Sequence, residues 1–194
     1  MKSALDIIRN EHRNLAAILD AMHAMVERIR SGSAHPNFDA FRAMLYYLDA
    51  FPERSHHPKE DEFLFQPLRA RSGEADAVIG ELEHEHACGA AAIRSLEQAL
   101  LRYEAGGEGE FVDFATAVEG FRDFYTQHMH KEETLVMPLA QKLFGAADWG
   151  RLDAAFSANR DPLAEGVDED QEFRHLFSRI VSLVPAPLGA GPPE

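Results

Sequence analysis

Two short strings carry the chemistry of this chain. HHPKEDEFLF (56–65) and HMHKEETLVM (128–137) each place a histidine four residues before a glutamate, His56 with Glu60 and His128 with Glu132. Each is preceded by a Glu-His pair, Glu11-His12 and Glu85-His86. The separations nearly match, with 44 residues from His12 to His56 and 42 from His86 to His128. The duplicated pattern supplies four imidazoles and two carboxylates. Imidazole suits iron, zinc, copper and nickel, whereas carboxylate favours harder ions. A mixed set with two carboxylates free to bridge suits a pair of transition-metal ions, iron best, with zinc or manganese as substitutes. Four imidazoles and two bridges do not saturate two six-coordinate ions, so a small diatomic ligand has somewhere to bind.

These side chains must be positioned by helices. Leu5, Ile8, His12, Leu15, Leu19, Met22, Val26 and Ile29 recur by threes and fours, which is one face of a helix. Ser3 with Asp6 resembles a capping box at its start, and SGSAHPN (31–37) supplies turn chemistry at its end. A second stripe runs Phe38, Phe41, Leu45, Leu48, Pro52, His56, Glu60, Phe63, Pro67. Pro52 and Pro58 remove backbone donors and should kink or interrupt this helix, and an extra four-residue step in the stripe falls in the same place, which predicts an irregular helix that resumes before the ligand pair. The third stripe is Ile79, Leu82, His86, Gly89, Ile93, Leu96, Leu100, Tyr103. The fourth is Phe111, Phe114, Val118, Phe121, Tyr125, His128, Glu132, Leu135, Leu139.

All six candidate ligands, His12, His56, Glu60, His86, His128 and Glu132, fall on apolar stripes in register. Buried without partners, such groups would cost on the order of several kcal/mol each, and a metal satisfies all of them together. A lone buried histidine is more often hydrogen-bonded core, and a lone His-x-x-x-Glu is common on helix surfaces. The duplication at matched spacing is what favours a site. Neighbours compete: Asp61 and Glu133 lie five residues after their histidines, and His57, His84 and His130 flank the chosen ones. His84 and His130 stand about 200° round the helix from the stripe and read as exposed or outer groups. Glu83 is a candidate additional donor. Tyr125, one turn before His128, reads as core packing or as a hydrogen-bond partner behind the ligands.

Four amphipathic segments with short connections predict an all-α, up-down-up-down four-helix bundle over 1–144, built from a duplicated helical hairpin. A helical extension follows over 145–184, with short helices expected in 147–163 and 168–184, then a flexible tail over 185–194. His175 is the only further histidine of interest there. The 33 acidic against 19 basic residues give a formal charge of −14, which argues against nucleic acid or an anionic membrane as partner. The single cysteine, Cys88, excludes an internal disulfide and reads as a buried small residue. No apolar run reaches the ~20 residues that span a bilayer, and the first residues lack a signal peptide's apolar stretch. A cytoplasmic protein is expected.

The chain over about 1–144 resembles the hemerythrin-like family, the HHE cation-binding domain, through HHPKEDEFLF and HMHKEETLVMP. The resemblance implies a non-haem diiron centre in a four-helix bundle that binds O2 or related small molecules. It makes His12, His56, His86 and His128 terminal ligands and Glu60 and Glu132 bridging carboxylates. Oxygen-carrying members have a further histidine one turn before the third-helix ligand, where this chain has Leu82. One iron is therefore expected to be less saturated, unless Glu83, Tyr125 or water fills the gap. The leading expectation is an oxygen carrier or an oxygen or redox sensor. The alternatives are a diiron enzyme (ferroxidase, peroxide or nitric-oxide handling) and a metal-dependent interaction module whose protein partner the sequence does not specify.

Overall fold

A computed structural model describes residues 3–159, 161 and 163. The second helix expected in the extension (168–184), with His175, and the tail over 185–194 lie outside the described residues.

Helix α1 (Ala4–Arg30) opens on a capping box. The Ser3 hydroxyl accepts from the Asp6 amide and the Asp6 carboxylate accepts from the Ser3 amide, both at 3.3 Å. It ends beside Gly32, whose φ of 69° suits glycine. The second rod, α2 (38–69), is capped by the Asn37 side chain on the Ala40 amide at 3.0 Å. Helix α3 (Asp76–Gly106) stops at Gly107, with φ 73°. Helix α4 spans 111–143, and α5 (Ala146–Ser157) lies beyond it.

Helix α2 is irregular around its prolines, as expected, but it is not interrupted. The chain stays helical through both prolines by alternating regular and wide, π-type turns. Asp49–His56 is wide and absorbs Pro52, and Pro58 falls in the first turn of the regular stretch His57–Glu60. A second wide stretch, Asp61–Phe65, follows. In α4 the matching stretch is Glu132–Val136. Each ligand pair is therefore followed by a wide turn, a form common at functional sites. The extra residue shifts the buried face. Leu64 and Leu68 are buried where Phe63 and Pro67 were expected. Val136 and Ala140 are buried where Leu135 and Leu139 were expected, and Leu135 is 54% exposed.

The four long helices close a ring, α1 on α2, α2 on α3, α3 on α4 and α4 on α1, as an up-down-up-down bundle with short connections requires. Its interior has two apolar clusters. One is built around Phe41, Leu45, Ile93, Leu100 and Phe114, and the other around Ile8, Leu64, Leu82, Met137, Leu152 and Phe156. The candidate ligands form a polar layer between them.

Candidate metal centre

The stripes bring the six sequence candidates together. His12 Nε2 lies 3.2 Å from His56 Nε2, and His86 Nε2 lies 3.1 Å from His128 Nε2. Glu60 and Glu132 stand between these pairs. Glu60 directs Oε1 to His56 (3.2 Å) and His12 (3.8 Å), and Oε2 to His86 (3.8 Å). Glu132 directs Oε2 to His12 (3.2 Å), and Oε1 to His128 (3.3 Å) and His86 (3.8 Å). Each carboxylate thus spans both histidine pairs, one oxygen to each.

The donors fit a pair of cations on two grounds. Both carboxylates are wholly buried, and among the described residues none of their four oxygens meets a hydrogen-bond partner. Buried ionised groups of this kind require a counter-charge. Two nitrogens held by one ion at ~2.1 Å and at right angles would sit about 3 Å apart, close to the spacing within each histidine pair.

A fifth histidine joins them. One donor atom each from His57, Glu60, His86 and His128 lie within 4.8 Å of one another, as do those of His12, His56 and Glu60. The His57 ring stacks on His86 with centroids 4.2 Å apart and planes at 13°. His57 sits about 100° round the helix from His56, which hid it from a search along the stripe. The adjacent His-His dipeptide, with Glu53 four residues before His57, was the available signal.

Four of the imidazoles face inward with Nε2 and meet a carboxylate with Nδ1. His12 Nδ1 meets Glu133 (2.9 Å), His56 Nδ1 meets Glu11 (2.7 Å), His86 Nδ1 meets Asp61 (2.8 Å) and His128 Nδ1 meets Glu85 (2.8 Å). His57 Nδ1 lies 3.3 Å from Glu53 Oε1, outside hydrogen-bond geometry. Such outer carboxylates fix the tautomer and orientation of ligating histidines. Asp61 and Glu133, which competed as ligands in the sequence, hold this outer role instead. So do Glu11 and Glu85 of the Glu-His pairs.

Tyr125 lies behind His57, its ring stacked 6.0 Å away, and its hydroxyl donates to Glu53. Gly89 makes room for that carboxylate, since a β-carbon there would collide with it. Glu83 does not join the cluster; its Oε2 pairs with Arg69 Nη1 at 2.7 Å. His84 and His130 are exposed, as their angular offset implies. Cys88 is exposed as well, contrary to the expectation of burial. It lies two residues past His86 and so falls off the buried stripe.

Charge in the layer follows from these contacts. Burial works against protonation of His56, but Glu60 and Glu11 outweigh it and raise its pKa to about 9. At His86 burial is likewise outweighed by Asp61, Glu132 and Glu60, giving about 10. His12 and His128 are raised by the same balance. His57 goes the other way. Burial and its charged neighbours His86, His56 and His128 push it well below the ordinary value. Burial opposes ionisation of Glu60 and Glu132 too, yet the surrounding imidazoles hold both below the usual carboxylate range.

The hemerythrin HHE cation-binding domain model matches residues 3–140. The chain belongs to the hemerythrin HHE cation-binding family. No curated protein and no solved structure matches it. Membership implies that the chain binds metal cations, and the histidine–glutamate layer is where its fold gathers the donors. Leu82, one turn before His86, is fully buried in the apolar cluster. His57 approaches the same histidine pair from α2. Among the described residues no helix is long and apolar enough to cross a membrane. The match ends at 140, so α5 lies outside it.

Proposed function

We propose that this chain is a cytoplasmic protein that holds two non-haem iron ions and binds O2 or a related small molecule, as a carrier or as an oxygen or redox sensor. The observation that carries this reading is the set of four buried oxygens of Glu60 and Glu132, which make no hydrogen bond among the described residues and stand between the two histidine pairs. In it His12 and His56 would hold one ion, His86, His128 and His57 would hold the other, and Glu60 and Glu132 would serve both. The iron pair, when bound, supplies exchangeable electrons and a coordination position for the small molecule.

The residues give the two positions unequal saturation. His57 brings a third imidazole to the His86 side, so the expected shortage of donors there is met from α2. The His12 side has two imidazoles and would be the side on which an incoming molecule finds room. Of the five imidazoles, only His57 is held neutral by its surroundings, the protonation state a ligand needs. The other four must release protons as metal enters.

The test is to load the protein anaerobically with Fe(II), confirm two irons per chain, and admit oxygen. Absorption bands appearing in the near-ultraviolet and visible are expected. Two bound irons with an unchanged spectrum would sink the oxygen reading.

The buried Tyr125 hydroxyl on Glu53, one ring from His57, favours a second reading, a diiron enzyme that turns over peroxide or another small oxidant. Consumption of many equivalents of hydrogen peroxide per chain would select it over a carrier or sensor.

A further inference from the structure

Helix α5 and the residues after it dock over the His12/His56 side of the layer. Asp153 Oδ1 accepts from the Ala4 amide at 2.7 Å, and Arg71 pairs with the buried Asp148. Leu152 and Phe156 are fully inside the apolar cluster. Asp161, itself buried, accepts from Asn14 Nδ2 at 2.6 Å and from the Tyr47 hydroxyl at 3.3 Å. Two contacts reach the candidate centre. The Phe156 ring stands edge-on to His56, 5.9 Å away at 84°. Asn159 Nδ2 donates to both oxygens of Glu11, at 2.9 and 3.0 Å, and Glu11 Oε2 is the group that meets His56 Nδ1.

The two halves differ here in an informative way. In the second half Lys131 Nζ donates directly to Glu85, at 2.5 Å, and Glu85 orients His128. The corresponding lysine of the first half, Lys59, also three residues after its histidine, donates to the Asn159 Oδ1. The amide of Asn159 then donates to Glu11. A residue from outside the matched domain is thus inserted between the lysine and the carboxylate that aims His56.

We propose that the segment after the hemerythrin domain is a lock on one metal position: Asn159 holds Glu11 against His56 and Phe156 covers the His56 ring, so that undocking the segment loosens the His12/His56 position and leaves the other intact. The inference rests on the two-position reading above. Asn159 is a positioning residue, acting on the ion only through Glu11 and His56. A carboxylate gripped through both oxygens cannot rotate away from its imidazole, and that orientation sets ligand basicity. Selectivity follows because Glu11 serves His56 whereas Glu85, on its own lysine, serves His128.

The full-length protein, loaded with two equivalents of Co(II) and mixed with excess EDTA, reports the release of each ion through the cobalt absorption. In Asn159→Asp, one equivalent should leave about tenfold faster or more, the scale expected when an outer partner is lost, while the other is unchanged. Asn159→Ala, which adds no charge, should speed the same equivalent, so the test survives misfolding of either variant. Lys131→Met should speed the opposite equivalent. The ion released early in Asn159→Asp should be the one that His56→Ala fails to bind. Equal acceleration of both ions, acceleration of neither, or the same ion speeded by Asn159→Asp and Lys131→Met overturns the lock. Wild-type protein that takes up fewer than two cobalt ions overturns the two-position reading and the lock with it.

Discussion

Glu60 and Glu62 are the same side chain two residues apart, one wholly buried between histidines and the other exposed. Glu60→Ala should therefore lower bound metal, measured by elemental analysis, while Glu62→Ala leaves it unchanged; equal contents would contradict the bridging role. Glu53→Gln keeps the shape behind His57 and removes its charge. Loss of such a partner costs about 10–100-fold in metal affinity, so a chelator competition should show one ion weakened by that order and the other untouched. Gly89→Ala, which drives a methyl group into the Glu53 carboxylate, should give the same signature. Unaltered competition in both variants would remove Glu53 from the site. The six candidates were visible in the sequence because each sits in register on an apolar stripe, where burial demands a partner. His57 was not, because a residue next to a stripe position points elsewhere on a regular helix. Only the convergence of α2 with α3 and α4 brings it to the same pair of imidazoles.

At the scale of elements, periodicity located the four long helices, and the Ser3–Asp6 box marked the start of α1. It marked an irregularity near the prolines of α2 but could not show that wide turns make it, nor the wide turn in α4. A single extra residue per turn leaves the amino-acid types unchanged and only moves the buried face onward by one position. This shift has a measurable consequence. Leu64, fully buried, lies within the wide stretch of α2, and its truncation to alanine should cost about 2–5 kcal/mol. Leu135, on the face that periodicity favoured in α4, is 54% exposed, and its truncation should fall within about 0.5 kcal/mol of zero. Urea unfolding of the two variants in chelator compares them directly, and similar losses would restore the unshifted register. The prolines teach the same lesson. Pro52 reads as a breaker in a regular helix, yet a wide turn accommodates it and the rod runs on to the ligands.

For the molecule as a whole, the histidine layer links metal, protons and stability. His56 and His86 have folded pKa values of about 9 and about 10, above the unfolded value near 6.5. In chelator their protonation stabilises the fold fully below pH 6.5, and this contribution is lost as pH rises toward 9 and 10. His57, depressed, acts in the opposite sense and contributes only above pH 6.5, but it is one against the raised four. The metal-free thermal midpoint should therefore fall between pH 6.5 and pH 10; a midpoint that rises over this range would contradict the charge balance. By the same balance, loading metal at neutral pH should expel protons from His56 and His86, seen as a buffer-dependent heat in titration calorimetry. The outer carboxylates add one more property. Glu11 and Glu85 aim histidines of their own half, but Asp61 aims His86 and Glu133 aims His12, across the two halves. Neither hairpin alone can finish its own imidazoles. Two chains that traded hairpins would reconstitute every one of these crossings, so an exchanged dimer should carry the same metal per chain as the monomer, whereas an isolated hairpin should carry none.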